Sequence, residues 1–183
     1  MKYYIGCSGW KSPEWAKKFY PAGLESTQYL SYYSKLFKFV HLDLSKSLFP
    51  PSSIALKKWA NETSDDFRFS IKIPQNLINK TMRSDQFESL ERFLEDLQVL
   101  KEKILVILLS PPPQVSLRNT GRTWLEEILH NATYHGFSVA VDFGNTNTWY
   151  QELTYNILRK HNVLCSSTSR LLHREFSLFD VIF

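Results

Sequence analysis

Charged and hydroxyl side chains occupy every second position of three short apolar runs. In 39–45, His41, Asp43 and Ser45 alternate with Val40, Leu42 and Leu44. In 67–73, Arg68, Ser70 and Lys72 alternate with Phe67, Phe69, Ile71 and Ile73. In 138–143, Asp142 shares its phase with Ser138 and Ala140, opposite Val139, Val141 and Phe143. A period of two is the signature of a strand with unlike faces. The chemistry these types support is specific. Lys72 is the candidate electrostatic clamp for an anion, and Asp142 or Asp43 the candidate acid/base group. His41 and Arg68 are candidate ligand contacts. An imidazole with two carboxylates also suits several divalent ions. No second histidine is placed to help, because His130, His135, His161 and His173 fall on helices or loops, and no metal site is assigned.

These groups need elements that bring them together. Strand patterns cover Tyr3 to Ser8, Phe39 to Ser45, Phe67 to Ile73, Ile104 to Leu109, Ser138 to Phe143 and Val163 to Ser166, with a last one at Asp180 to Phe183. Ile104 to Leu109 is a continuous apolar run, as a strand buried on both faces requires. Helical patterns lie between them: Thr27 to Phe37, Ser53 to Ala60, Asp85 to Leu100, Thr120 to Tyr134 and Thr148 to His161. The first uses Tyr29, Leu30, Tyr33, Leu36 and Phe37, and the last Tyr150, Leu153, Ile157 and Leu158. Leu171 to Phe176 reads as one helical turn.

Alternating strands and helices predict an α/β fold with a parallel sheet, a TIM-type βα barrel formed by 1–183 as one domain. Such barrels usually have eight strands and about 250 residues. With 183 residues, this sequence predicts either seven strands or an incomplete barrel with a gap beside the first strand. The strand at Asp180 to Phe183 is then expected beside Tyr3 to Ser8. Otherwise an open seam calls for a covering loop or a second subunit, because an unpaired edge invites association. Apolar strand faces must meet the helices, so the polar faces point into the barrel. His41, Asp43, Lys72 and Asp142 fall near the C-terminal strand ends, where TIM-barrel enzymes carry their sites. Charges in that interior must pair or face a wet cavity. Lys72 is expected within ion-pair reach of Asp43 or Asp142. The same set also reads as an ion-pair network that fixes geometry and does no chemistry.

The composition is that of a globular chain, with 43% hydrophobic and 15% aromatic residues. That much apolar surface excludes a disordered chain. No apolar run is long enough for a transmembrane helix, and the N-terminus has no secretory pattern, so a cytoplasmic protein without membrane contact is expected. The net charge of +4 permits an anionic ligand or nucleic acid without demanding either. Cys7 and Cys165 sit in strand-like runs and read as buried free thiols.

Gly6-Cys7-Ser8-Gly9-Trp10 follows the first strand and offers backbone amides to an anion, with Ser8 and Trp10 as candidate ligand contacts. It is not a phosphate loop, and no motif names a cofactor. Trp10, Trp15, Phe19 and Tyr20 lie at the same barrel end as the charges and are expected to cover part of its mouth.

The stretch Ile5-Gly6-Cys7-Ser8-Gly9-Trp10, then Trp15 and Phe19-Tyr20-Pro21-Ala22-Gly23-Leu24, resembles the opening of the YecE-like proteins, the domain of unknown function numbered seventy-two. Tyr29-Leu30-Ser31-Tyr32-Tyr33, Phe37, Phe67 to Pro74, Ser110-Pro111-Pro112 and Asp142-Phe143 continue the resemblance over nearly the whole chain. It implies a TIM-type barrel and no settled reaction. The departures fall on polar positions. The family's second strand carries a Glu at the place of His41 and an Asn at that of Asp43. Its aromatic pair is replaced near Lys46 and Ser47, and its Gln before the double proline is Leu109. Its acid-Phe-Arg-His-Pro motif reads Asp142-Phe143-Gly144-Asn145-Thr146, and its later Asp is Ser169 or a neighbour. Lys72 survives, and Asp142 survives as a shortened acid. The resemblance therefore implies a divergent, shortened member.

Three functions follow in order. The first is a barrel binding a small ligand or a partner, its ancestral site eroded. The second is an enzyme acting on a small anionic substrate, phosphorylated or carboxylated, at the C-terminal mouth. The third is a nucleic-acid binder. The last needs clustered cations, whereas Lys11, Lys17, Lys18, Lys35, Lys38, Lys57, Lys58 and Lys80 are scattered along the chain.

Overall fold

The computed structural model describes residues 3–16, 18–45, 49–78, 84–144 and 147–166. Among these residues six strands form one sheet: β1 (Gly6–Ser8), β2 (Phe39–Asp43), β3 (Arg68–Lys72), β4 (Ile104–Leu109), β5 (Val139–Asp142) and β6 (Leu164–Ser166). Their order in the sheet is their order in the chain, and every neighbouring pair is parallel. The intervening helices are α1 (Tyr29–Leu36), α2 (Ser53–Glu62), α3 (Ser84–Leu97), α4 (Arg122–Tyr134) and α5 (Glu152–Lys160). Crossovers between parallel strands are right-handed, so a sheet that only ever steps one way keeps all its helices on one face. The other face is left to close on itself. The architecture is α/β, an incomplete βα barrel of the TIM type. The expected strand at Asp180 to Phe183 and the turn at Leu171 to Phe176 lie outside the described residues.

The apolar strand faces meet the helices, as the alternation requires. Val40, Leu42, Phe69, Ile71, Ile107, Leu109, Val139 and Val141 share one core with Leu30 and Tyr33 of α1, Leu56 of α2, Leu90, Phe93 and Leu94 of α3, Leu125 and Ile128 of α4, and Ile157 and Leu158 of α5. A second, smaller cluster of Val106, Leu108 and Ala140, with Leu164 against it, lies on the opposite face. Helix ends are secured locally. The Ser52 hydroxyl accepts from the Ala55 amide at the start of α2. Lys103 donates to the Ala60 carbonyl in the last turn of α2 and to the Thr63 carbonyl just past it, both at 2.7 Å, supplying donors that a helix C-terminus lacks.

Three expectations are corrected. Leu36 is exposed, because it ends the last turn of the short α1, and Leu153 and Tyr150 are exposed because the buried stripe of α5 is Thr154, Ile157 and Leu158. Cys165 is exposed and Cys7 half-buried; neither forms a disulfide among the described residues. The aromatic N-terminal loop packs on the helix layer and does not cover the mouth. Trp10 meets Trp59 of α2 edge-on, with ring centres 5.0 Å apart. Trp15 lies parallel to Tyr33, Phe19 packs against Tyr32 and Phe37, and Tyr20 stacks on Tyr29 at 3.8 Å. The ring-rich flank of α1 offers these side chains a dry, complementary surface that a polar mouth does not. The Tyr20 hydroxyl donates to the Trp10 carbonyl, and burial pushes its pKa up to about 12.

Candidate functional site

The strand register arranges the interior face in rungs. The lower rung runs Ser8, His41, Ser70 and Val106; the next runs Asp43, Lys72, Leu108, Ala140 and Leu164. Alternation puts Ser110 and Asp142 one rung higher, side by side, one residue beyond the Leu109–Val141 pair.

His41 and Ser70 are both buried, and the imidazole Nδ1 lies 3.2 Å from the Ser70 hydroxyl. Burial pushes the His41 pKa down. The Asp43 carboxylate opposes that shift, and the Lys72 ammonium adds to it. This ring is neutral at neutral pH, and it sits below the rim. Above it, Lys72 Nζ lies 3.8 Å from Asp43 Oδ2. Their side chains are 20% and 43% exposed, so the pair is reached by solvent. Burial works to raise the Asp43 pKa but is outweighed. The Ser45 hydroxyl and amide, then Lys72 and His41, hold the carboxyl below the usual carboxylate range. The Ser45 amide donates to Asp43 Oδ1 at 2.9 Å. One carboxylate oxygen is thus committed to the backbone, and the other faces the lysine.

Lys72 and Asp43 meet at the C-terminal ends of neighbouring strands. Asp142 forms no ion pair with Lys72 among the described residues; its Oδ1 accepts from the Gly144 amide at 2.8 Å and shapes the turn after β5. Gly144 takes a positive φ of 59° there, which favours glycine over other residues. Arg68 is drawn to the opposite end of the barrel, where its guanidinium donates to the Asp65 and Phe67 carbonyls at 2.6 and 2.9 Å. Ser8 lies on the interior side of β1 and is exposed. Trp10 is removed from the site altogether, buried against α2. His41, Asp43 and Asp142 do not gather as a metal-binding group; no such cluster of three occurs among the described residues. No helix among those residues is long and apolar enough to cross a membrane.

Two contributors had weaker signals. Ser45 follows Asp43 at the two-residue spacing of an Asx turn, which is legible in sequence. Ser110 continues the phase of Val106 and Leu108, but the all-apolar run before it hides which phase faces inward. The departures at Lys46, Ser47, Asn145, Thr146 and Ser169 lie outside the described residues, as do Lys17 and Lys80.

Sequentially ordered parallel strands with charged groups gathered at their C-terminal ends define an incomplete TIM-type barrel with a polar mouth. The chain belongs to the family described as protein of unknown function DUF72, whose model matches residues 4–174. A DUF72 family protein from Thermotoga maritima superposes with a TM-score of 0.68 at 24% identity, over 88% of this chain and 63% of that one. One from Enterococcus faecalis gives 0.61 at 18% identity, over 74% of this chain and 52% of that one. This chain therefore spans less than two thirds of the first relative and about half of the second. No curated protein matches it.

Proposed function

We propose that this DUF72 barrel binds a small ligand carrying an anionic group at its C-terminal mouth, and that it does not catalyse a reaction there. The observation that carries this reading is the Asp43–Lys72 pair. At 3.8 Å it is long for an ion pair, it reaches solvent, and Asp43 is already held by Ser45. A lysine with three donors and, among the described residues, one distant ion-pair partner retains capacity for an incoming carboxylate or phosphate. Catalysis would call for a proton-transfer group within hydrogen-bond reach of the bound ligand. His41 is committed to Ser70 below the rim, and one oxygen of Asp142 is taken up by its own turn.

Calorimetric titration with butyrate and with inorganic phosphate tests the reading. Saturable binding is expected in the parent and absent in a folded Lys72→Met variant. Incubation with a broad panel of phosphate esters and sugar acids is expected to yield no product. A turnover that Lys72→Met or Asp142→Asn abolishes, with both variants folded, would reverse the reading and make the chain an enzyme.

A further inference from the structure

We infer that the anion site at Lys72 is proton-linked: an anion that binds there draws a proton onto His41, one rung below. The inference rests on the Lys72 reading and adds a titratable residue to it.

The first observation is placement. His41 and Asp43 stand two residues apart on β2 and share the interior face, and Lys72 pairs with Asp43 from β3. Two residues of strand rise span about 6.6 Å, so an anion on Lys72 lies within electrostatic range of the ring. His41 is 6% exposed. Little water screens a charge in such a place, and its neighbours act on it more strongly than at the surface.

The second observation is a hydrogen bond that survives either charge state. His41 Nδ1 lies 3.2 Å from Ser70 Oγ. A hydroxyl donates to a bare Nδ1 or, by turning about its Cβ–Oγ bond, accepts from a protonated one. The ring can therefore gain a proton without losing this partner. A backbone amide in the same place would only donate, and would oppose a proton on that nitrogen.

The third observation is the set of charges that reach the ring. Ser8 of β1 and Ser70 of β3 flank His41 and carry none. Among the described residues, the charged groups that act on it are Asp43 and Lys72. Burial holds its pKa below the ordinary value; Asp43 favours the proton and Lys72 opposes it. An anion seated on Lys72 offsets the group that opposes the proton and leaves the one that favours it. Charged residues elsewhere set where the titration starts, but an added negative charge moves it upward from any starting point.

Linkage then fixes the sign. An anion that raises the His41 pKa is bound more tightly, by the same factor, once His41 is protonated. Above the bound-state pKa the ring is neutral with and without ligand, and affinity does not depend on it. Affinity climbs as pH falls through the bound-state value and levels off below the free-state value, which is itself under about 6.5. The mouth thus holds its ligand more tightly in mild acid than at neutral pH.

Calorimetry with butyrate from pH 8 to pH 5.5 tests the inference. A carboxylate stays largely ionised over this range, whereas phosphate titrates within it. Buffers of different ionisation enthalpy count the protons taken up. The parent is expected to take up protons near pH 6 and to bind about threefold more tightly at pH 5.5 than at pH 8, part of the tenfold that a one-unit shift gives in full at lower pH. His41→Asn, confirmed as folded by thermal melting, is expected to bind without proton uptake and without that pH dependence. A second measurement needs no variant: the His41 ring resonance is expected to titrate about one unit higher in saturating butyrate than without it. If butyrate binds through Lys72 but the ring titrates at the same pH in both cases, or the uptake persists in His41→Asn, the linkage is wrong and the anion reading stands. If Lys72→Met leaves butyrate binding intact, the anion reading itself has failed.

Discussion

Strands β2 and β3 present His41, Asp43, Ser70 and Lys72 to the barrel interior, whereas β4, β5 and β6 present Val106, Leu108, Ala140 and Leu164 to the same space. The apolar half is nearly sealed: Val106 is 1% exposed and Ala140 2%. The polar half is graded, with His41 and Ser70 buried below and the Asp43–Lys72 pair open above. The difference separates what holds the sheet together from what is free to meet a ligand. Burial of apolar surface is the main stabilising force on one side, while the solvent-reached ion pair on the other adds little to stability.

The largest expected effect follows from that contrast. Leu108→Ala should cost about 3 kcal/mol through lost burial and the cavity left behind. Lys72→Met should cost less than about 1 kcal/mol, because the pair is long and partly solvated. A fully buried pair would have cost several times more. Urea denaturation of both variants checks the contrast, and equal losses would erase the distinction between the two halves.

The two halves also differed in how openly the sequence displayed them. In β2 and β3 a polar residue at every second position marks the inward face directly; that phase brings Lys72 toward Asp43 or Asp142, and the structure pairs it with Asp43. In β4 all six residues are apolar, so the inward phase of Val106 and Leu108 has no contrast to reveal it. Arg68 shares the phase of Lys72 but not its place. Four residues along a strand separate opposite ends of a barrel, and alternation reports only the face. The aromatic loop misled for another reason. Its position after β1 put it near the mouth, but the rings of Tyr29, Tyr32 and Tyr33 on α1 provided a better partner. Packing between distant segments is not written in local pattern.

Tyr33 sharpens the comparison from outside the barrel. Its hydroxyl accepts from the Cys7 amide at 2.8 Å and donates to the Phe39 carbonyl at 2.9 Å, tying β1 to β2 behind the polar half. Tyr33→Phe leaves both backbone groups without that partner and should cost roughly 2 kcal/mol. Faster hydrogen exchange at the Cys7 amide should accompany the loss. An unchanged exchange rate would show that the hydroxyl does not hold this edge.

A smaller effect concerns acid. The folded pKa of His41 lies below its unfolded value of about 6.5, so the unfolded chain takes up the proton first as pH falls. Stability is unaffected by this residue above that value and is lost as pH falls from there toward the folded pKa. Asp43 acts in a lower window. Its contribution is present above the unfolded value of about 3.9 and is lost as pH falls through its depressed folded pKa. Burial also lowers His161, ahead of Lys160 and His130, while Glu126 opposes, so a His41→Asn variant is needed to assign the upper window. The fall in urea midpoint between pH 7 and pH 5 should be smaller in that variant; an identical fall would place its origin elsewhere.

The smallest effect is expected at Arg68. Its hydrogen bonds are local and lie at the far end of β3, so Arg68→Gln should shift stability by no more than about 0.5 kcal/mol and leave butyrate affinity unchanged. Loss of butyrate binding in this variant would mean that the ligand reaches the N-terminal end of the barrel.

The central claim is that the Asp43–Lys72 pair is a place of binding and not a brace. Heteronuclear NMR titration with butyrate addresses it residue by residue. Saturable shifts are expected at the amides of Asp43, Ser45, Lys72 and Ile73, with the helix-side amides of α3 and α4 unmoved. Lys72→Met should abolish those shifts while keeping the dispersed spectrum of a folded chain. Shifts that never saturate, that lie elsewhere, or that persist without the lysine would contradict the claim.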